Sequence, residues 1–249
     1  MKPFLKQLEV KIRKRYNLYM GAKQIRKHGV WFVDIPRTSS TSIKAELGII
    51  YGLPYGKAKL INRQKWADKL PGDYIARMKH HTHQIFDDHI PAIEMQKIIG
   101  EKAWESLFTF TFVRNPWDRI ISLYYTLKRA LEIPGDMQFK EFVFALKNAR
   151  KPKGESILRL REYYFGSSDY VLDKDGNILV KYIAKYENRN NDIKRISLKL
   201  GYEKFGTLHV SLSTPRDIHY SKYYDEETRE VVKDIYKEDI ELFDYEFES

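Results

Sequence analysis

Leu107-Phe108-Thr109-Phe110-Thr111-Phe112-Val113 runs straight into Arg114-Asn115-Pro116-Trp117-Asp118-Arg119-Ile120-Ile121. All but one of the first seven residues are β-branched or aromatic; the run is short for a helix and too apolar to face water, so it reads as a buried strand. Asn115 then offers an N-cap and Pro116 the residue favoured at the first helical position, opening a helix carried by Trp117, Ile120, Ile121, Leu123 and Tyr124. Upstream, Val30-Trp31-Phe32-Val33-Asp34-Ile35 gives a second buried strand that stops at Pro36, followed by the polar loop Arg37-Thr38-Ser39-Ser40-Thr41-Ser42 and a helical pattern from Ile43 to Leu47. Strand, helix, strand, helix is the order of an α/β fold around a mostly parallel sheet.

The rest of the chain fits around those two units. With 249 residues, 43% of them hydrophobic, a single domain with a sizeable core is expected over 1–249. A basic helix lies within 1–28, and an α/β core runs from 29 to 249 and ends in an acidic helix. Leu5, Leu8, Ile12, Tyr16 and Tyr19 give the first helix its apolar stripe, and its basic face offers a peripheral contact to an anionic membrane surface. Residues 91–106 read as one helix, Tyr74–Met78 as a further strand and 51–71 as loop. Tyr170–Leu172 and Ile178–Val180 read as a hairpin around Gly176, Asn188–Leu200 as a helix stopping at Gly201, and Asp225–Tyr236 as the closing helix.

Composition removes whole classes of chemistry. No cysteine means no disulfide scaffold, thiolate metal site, iron-sulfur cluster or cysteine nucleophile. No apolar run approaches the ~20 residues that span a bilayer, and the N-terminus lacks the apolar core of a secretory leader. A cytoplasmic location is therefore expected. The net charge is +10, but residues 2–28 hold nine basic groups against one acidic and residues 223–249 three against eleven. The ends cancel, and the surplus surrounds the two loops, where a polyanion would feel it.

Each loop is suited to an anion. The hydroxyl-rich loop 37–42 brings backbone N–H groups, side-chain donors and a helix N-terminus to one place. It lacks the glycines and the lysine of G-x-x-x-x-G-K-[ST], so it is not an ordinary nucleotide-hydrolysing loop. In the second unit Arg114 stands at the strand end and Ser122 about two turns into the helix, each within reach of a phosphate beside the helix start, one as a planar fork and one as a hydroxyl donor.

Together these segments resemble a known family. Pro36-Arg37-Thr38-Ser39-Ser40-Thr41-Ser42 is similar to the 5'-phosphosulfate loop P-K-T-x-x-T-[ST] of PAPS-dependent sulfotransferases. Phe112-Val113-Arg114-Asn115-Pro116-Trp117-Asp118-Arg119-Ile120-Ile121-Ser122-Leu123-Tyr124 is similar to their 3'-phosphate motif F-V-R-N-P-x-x-R-x-x-S-x-Y. The nearest branch resembles the Golgi-type carbohydrate sulfotransferases, the heparan sulfate 2-O-sulfotransferases among them, and their bacterial relatives. The resemblance implies a P-loop-like three-layer sandwich with helices flanking the sheet. It also implies transfer of a sulfuryl group from 3'-phosphoadenosine 5'-phosphosulfate (PAPS) to an acceptor hydroxyl, by in-line displacement and without a metal. By position, Arg37, Thr38, Ser39, Ser40, Thr41 and Ser42 would hold the 5'-phosphosulfate, and Arg114 and Ser122 the 3'-phosphate. Arg37 replaces the family's catalytic lysine, keeping the charge but not a readily transferred proton.

A base with a pKa near neutrality is required, and histidine suits it. His81-Thr82-His83 is similar to the H-x-H segment of the 2-O-sulfotransferases, and Lys79-His80-His81-Thr82 to the K-H-x-T segment of bacterial members. His81 with His83 is preferred, and His80 is the rival. Glu187 either orients the acceptor or the base, or is a structural carboxylate. The acceptor is expected to be a carbohydrate, anionic substituents included, met by residues 51–71 with Arg159, Arg161, Tyr163 and Tyr164; no nucleic acid is expected. The alternatives are a P-loop-related nucleotide-dependent kinase and a non-catalytic polyanion- or glycan-binding module.

Overall fold

The computed structural model describes residues 19, 21–38, 40–51, 89–149, 165–203, 205–206 and 218–248. Residues 21–28 are helical (α1) and lead into strand β1, Val30–Phe32. After the loop comes helix α2, Ser40–Tyr51. Helices α3, Ala92–Ile99, and α4, Glu101–Ser106, precede the longest described strand, β2, Phe108–Val113. Helices α5, Pro116–Arg129, α6, Phe139–Ala149, and the single turn α7, Ser168–Val171, follow. Strand β3, Tyr182–Lys185, passes through a 3₁₀ turn at Tyr186–Asn188 into α8, Arg189–Leu200. A second 3₁₀ turn, Tyr220–Tyr223, leads to α9, Glu226–Ile235, and α10, Lys237–Phe243.

The three strands form one parallel sheet in the order β1-β2-β3, with Val30 opposite Phe108 and Phe110 opposite Tyr182. This is an α/β sandwich, as the element order requires. In β2 every residue after Phe108 is buried, as a central strand covered on both faces must be. Its two threonines are not misplaced in that setting. Thr111 Oγ1 donates to Val33 O at 2.7 Å, and Thr109 Oγ1 accepts from Lys181 N at 3.0 Å, so each hydroxyl ties the central strand to a neighbour.

Two apolar cores hold the layers. One surrounds the sheet, with Ile25 of α1, Ile43 and Leu47 of α2, Met95 of α3 and Ile196 of α8. The other joins α5, α6 and α9 through Ile121, Leu127, Phe142, Val143 and Val232. Helix α5 belongs to the second core and its N-terminus to the sheet edge, which is why it connects packing to the site.

Several expectations change. The helix foreseen over 91–106 breaks at Gly100, whose φ of 88° is left-handed and suited to a residue without Cβ, giving α3 and α4. The foreseen hairpin is a single antiparallel bridge, Leu172 with Ile178, preceded by α7 rather than a strand. The helix expected over Asp225–Tyr236 is present as α9, with a capping box at Asp225 and Thr228, but it does not close the chain, since α10 follows beyond Tyr236. Strand β3 was not anticipated. Tyr74–Met78, residues 52–71, most of the opening helix, and Arg159, Arg161, Tyr163 and Tyr164 lie outside the described residues.

Candidate active site

Because the strands are parallel, their C-terminal ends share one edge, and the loops that leave it meet there: 33–38 from β1, 114–115 from β2 and 186–188 from β3. That edge is where open α/β sheets place their ligands.

The first loop is tightly determined. Arg37 has φ 71°, a left-handed conformation that costs a non-glycine residue roughly 1–2 kcal/mol. Thr38 is fully buried, and its hydroxyl donates to Ile35 O at 2.9 Å, closing the turn. Helix α2 then starts at Ser40, and its first turn carries no acidic residue. Ser40 and Ser42 are both buried in that turn.

The second unit supplies an arginine and a serine to the first. Arg37 donates from Nη2 and Nε to Ser122 Oγ, at 2.9 and 3.2 Å. Arg114 donates from Nη1 to the carbonyl of Arg37 at 3.2 Å and from Nε to Asp118 Oδ2 at 2.7 Å, and its guanidinium lies 4.2 Å from the centre of the Tyr186 ring. The structure therefore brings Arg37 of the first motif together with Arg114 and Ser122 of the second, 77 and 85 residues away in sequence. Thr38 shapes the loop from inside. Ser39, His80, His81 and His83 lie outside the described residues, as does the side chain of Thr41.

Behind these groups stands a polar support that the sequence only partly announces. Asn115 caps α5 by accepting from Trp117 N at 3.1 Å, while its amide nitrogen donates to Glu246 O at 2.9 Å and to Tyr220 OH at 3.2 Å. Glu187 accepts from Asn115 N at 2.7 Å and from Tyr245 OH at 3.1 Å, the structural role of the two left open for it. Burial, with the Glu187 carboxylate adding to it, pushes the Tyr245 phenol up, so it stays a neutral donor.

At the root of the first loop, Asp34 is bonded by Lys44 of α2 and faced by His89 Nδ1, which lies 3.3 Å from Asp34 Oδ2 and 3.0 Å from Asp34 O. Burial works against ionisation of Asp34, but the Lys44 and His89 charges outweigh it and hold the carboxyl below its ordinary range. His89 shows the mirror effect: burial opposes its protonation, Asp34 favours it more, and its pKa is raised. Lys44 and His89 were not among the expected site residues. A lysine on the buried face of α2 and a histidine six residues after His83 were the signals available for them.

Comparison with known proteins gives a family and two relatives. The sulfotransferase family model matches residues 22–246. The chain is 27% identical over 133 residues to an uncharacterized protein of Archaeoglobus fulgidus, a stretch that covers 53% of this chain and 98% of that one. It is also similar to the crystal structure of a sulfotransferase from Alicyclobacillus acidocaldarius, at 14% identity, with 92% of each chain covered and a TM-score of 0.36.

Proposed function

The chain belongs to the sulfotransferase family, and from that premise we propose that it moves the sulfuryl group of PAPS to a hydroxyl of a carbohydrate, with a histidine as base. PAPS supplies an activated sulfuryl group on a phosphate leaving group; the chain must align the reactants, offset charge on the departing oxygen and accept the hydroxyl proton.

The donor set suits such a nucleotide. Helix α2 brings a positive N-terminal end with no carboxylate in its first turn to oppose a phosphate. Around it stand Arg114 and Ser122, both buried, and the half-buried Arg37. There a charge-assisted hydrogen bond is worth about 1.5–3 kcal/mol. Arg114 and Ser122 take the 3'-phosphate. The hydroxyls and N–H groups of residues 38–42 take the 5'-phosphate. Arg37 neutralises the bridging oxygen as charge grows on it, and because a guanidinium does not give up its proton, it acts as a fixed charge rather than as a general acid. His81, with His83 beside it or His80 in its place, receives the proton of the acceptor hydroxyl.

The observation that carries this reading is the contact between the two motifs: Arg37 of the first bonded to Ser122 of the second, with Arg114 on the Arg37 carbonyl. Each segment alone would pass for a capped helix. Joined, they set two guanidiniums and a hydroxyl beside one helix start, which suits a ligand with phosphates at two positions. Thermal unfolding with added 3'-phosphoadenosine 5'-phosphate (PAP) tests it. At ~100 times its dissociation constant PAP should add about 2.7 kcal/mol of stability. No shift with PAP, alongside a shift with ATP and magnesium, overturns the proposal in favour of a kinase.

A further inference from the structure

We infer that Arg119, on α5, is a positioning residue that holds the donor loop in its active shape, with Asp239 of α10 as its counter-charge. The inference rests on the PAPS reading above.

Arg119 is 2% exposed, among the most deeply buried large side chains of the protein. A buried arginine is costly unless its donors are used, so where they go shows what it does. Nε donates to the carbonyl of Pro36 at 3.2 Å and Nη2 to the carbonyl of Phe165 at 2.8 Å. Asp239 Oδ2 stands 3.7 Å from Nη1, beyond hydrogen-bonding distance. The Asp239 carboxylate is instead engaged by Ser167 N at 2.6 Å and Ser168 N at 2.8 Å. This is not a simple ion pair. The hydrogen bonds of the guanidinium go to two backbone carbonyls, and the carboxylate balances its charge from a short distance away.

The Pro36 carbonyl belongs to the peptide that enters Arg37, and the Arg37 carbonyl, held by Arg114, belongs to the peptide that leaves it. A peptide unit is planar, so fixing its carbonyl fixes its whole orientation. Both peptides flanking Arg37 are thus fixed by arginines of the second unit, while Thr38 holds the carbonyl of Ile35 before them. Such a set of constraints is what a left-handed, non-glycine φ needs in order to persist. The backbone of Arg37 sets the direction of its guanidinium, so Arg119 acts on the reacting centre through Arg37.

The other bond of Arg119 ties the loop to residues 165–168. Gly166 lets the chain approach Asp239 there: a Cβ on it would fall 2.5 Å from Asp239 Oδ1. Donor loop, α5, α7 and α10 therefore meet at a single guanidinium.

The test is the dissociation constant of PAP by titration calorimetry for the wild type and for Arg119→Met, Arg119→Lys and Leu127→Ala. Leu127 lies on the same helix, buried in the other core, and serves as the control for lost stability alone. Arg119→Met should weaken PAP about tenfold or more, as expected when a charged donor is withdrawn from a carbonyl next to the binding groups. Arg119→Lys, able to serve only one of the two carbonyls, should fall between it and the wild type. Leu127→Ala should lose stability with PAP affinity unchanged. If Arg119→Met loses no more PAP affinity than Leu127→Ala, the inference is overturned. Should Arg119→Met fail to fold, Arg119→Lys and Thr38→Val carry the test, and wild-type affinity in both overturns it. A wild type that does not bind PAP removes the donor reading and this inference with it, whereas failure confined to the Arg119 variants removes the inference alone.

Discussion

The two strand-loop-helix units look alike in sequence and differ in what they leave to a ligand. After β2, the helix start provides for itself: Asn115 caps it, Pro116 fills the first position, and Asp118 in the first turn pairs with Arg114. After β1, helix α2 has no acidic residue in its first turn, and the loop before it is held from outside, with Arg119 and Arg114 on the Pro36 and Arg37 carbonyls. A helix that satisfies its own N-terminus makes a firm base for side chains but draws an anion weakly. A loop whose carbonyls are engaged by neighbours can present its donors and its dipole to an incoming phosphate. The second unit is thus the scaffold that carries the arginines, and the first is the receptor they shape.

Substitutions at two positions test this division of labour where the effects should be largest. Arg37→Ala removes the cation from the receptor loop, and by analogy with the loss of one preorganised charge-stabilising donor, turnover of PAPS should fall about 10²–10³-fold with the fold intact. Arg37→Lys, which restores charge without the fork to Ser122, should recover much of that. A variant Arg37→Ala that turns over normally would remove the first loop from the chemistry. Next in size, Arg114→Ala should weaken PAP by roughly 10–100-fold through the loss of charge-assisted bonds, measured by calorimetry. Under the same change, retention on a heparin column should hardly alter, since the broad positive surface is untouched. Equal loss of both would make the protein a general polyanion binder.

The same contrast explains what could be read from the sequence. Strand β2, the Asn115 cap and Pro116 are local signals, legible within ten residues, and the structure follows them. Strands β1 and β2 pairing in parallel also follows from the order of elements. What failed was set from far away. Ser168–Val171 is a helical turn rather than a strand because Asp239 accepts from Ser167 N and Ser168 N across some 70 residues of chain. Strand β3 is four residues, Tyr-Ile-Ala-Lys, with one fully buried side chain, and it exists by pairing with β2 rather than by its own pattern. Arg114 and Ser122 stood out by residue type and spacing, and Arg37 through the family motif. Arg119 lies in the quoted motif too, but its task, like the tasks of Lys44 and Asp239, was not legible, because a buried charge has meaning only through its partners.

Smaller effects probe the scaffold and the root of the receptor loop. Asn115→Ala removes the cap of α5 and its ties to Tyr220 and Glu246. It should cost about 1–2 kcal/mol, seen as a lower urea midpoint with PAP affinity reduced only slightly. A large loss of PAP affinity without loss of stability would place Asn115 in the receptor rather than the scaffold.

The smallest effect lies at Asp34, Lys44 and His89. The pKa of His89 is raised above its ordinary 6.5, so its pairing with Asp34 contributes fully below that value and is lost as the pH rises through the folded-state pKa. Asp34 is shifted the opposite way from its ordinary 3.8, and its contribution is present above that value and lost only as the pH falls through a still lower one. The cluster should therefore be most stabilising between roughly pH 4 and 6.5. His89→Gln should remove the decline in stability on the alkaline side, while the acid side persists through Lys44. Melting temperatures from pH 5 to 9 decide the matter: the wild type should lose stability toward alkaline pH relative to His89→Gln. Parallel curves would mean that the imidazole adds no charge to the root of the receptor loop, leaving Lys44 as the group that holds Asp34 ionised beneath Arg37.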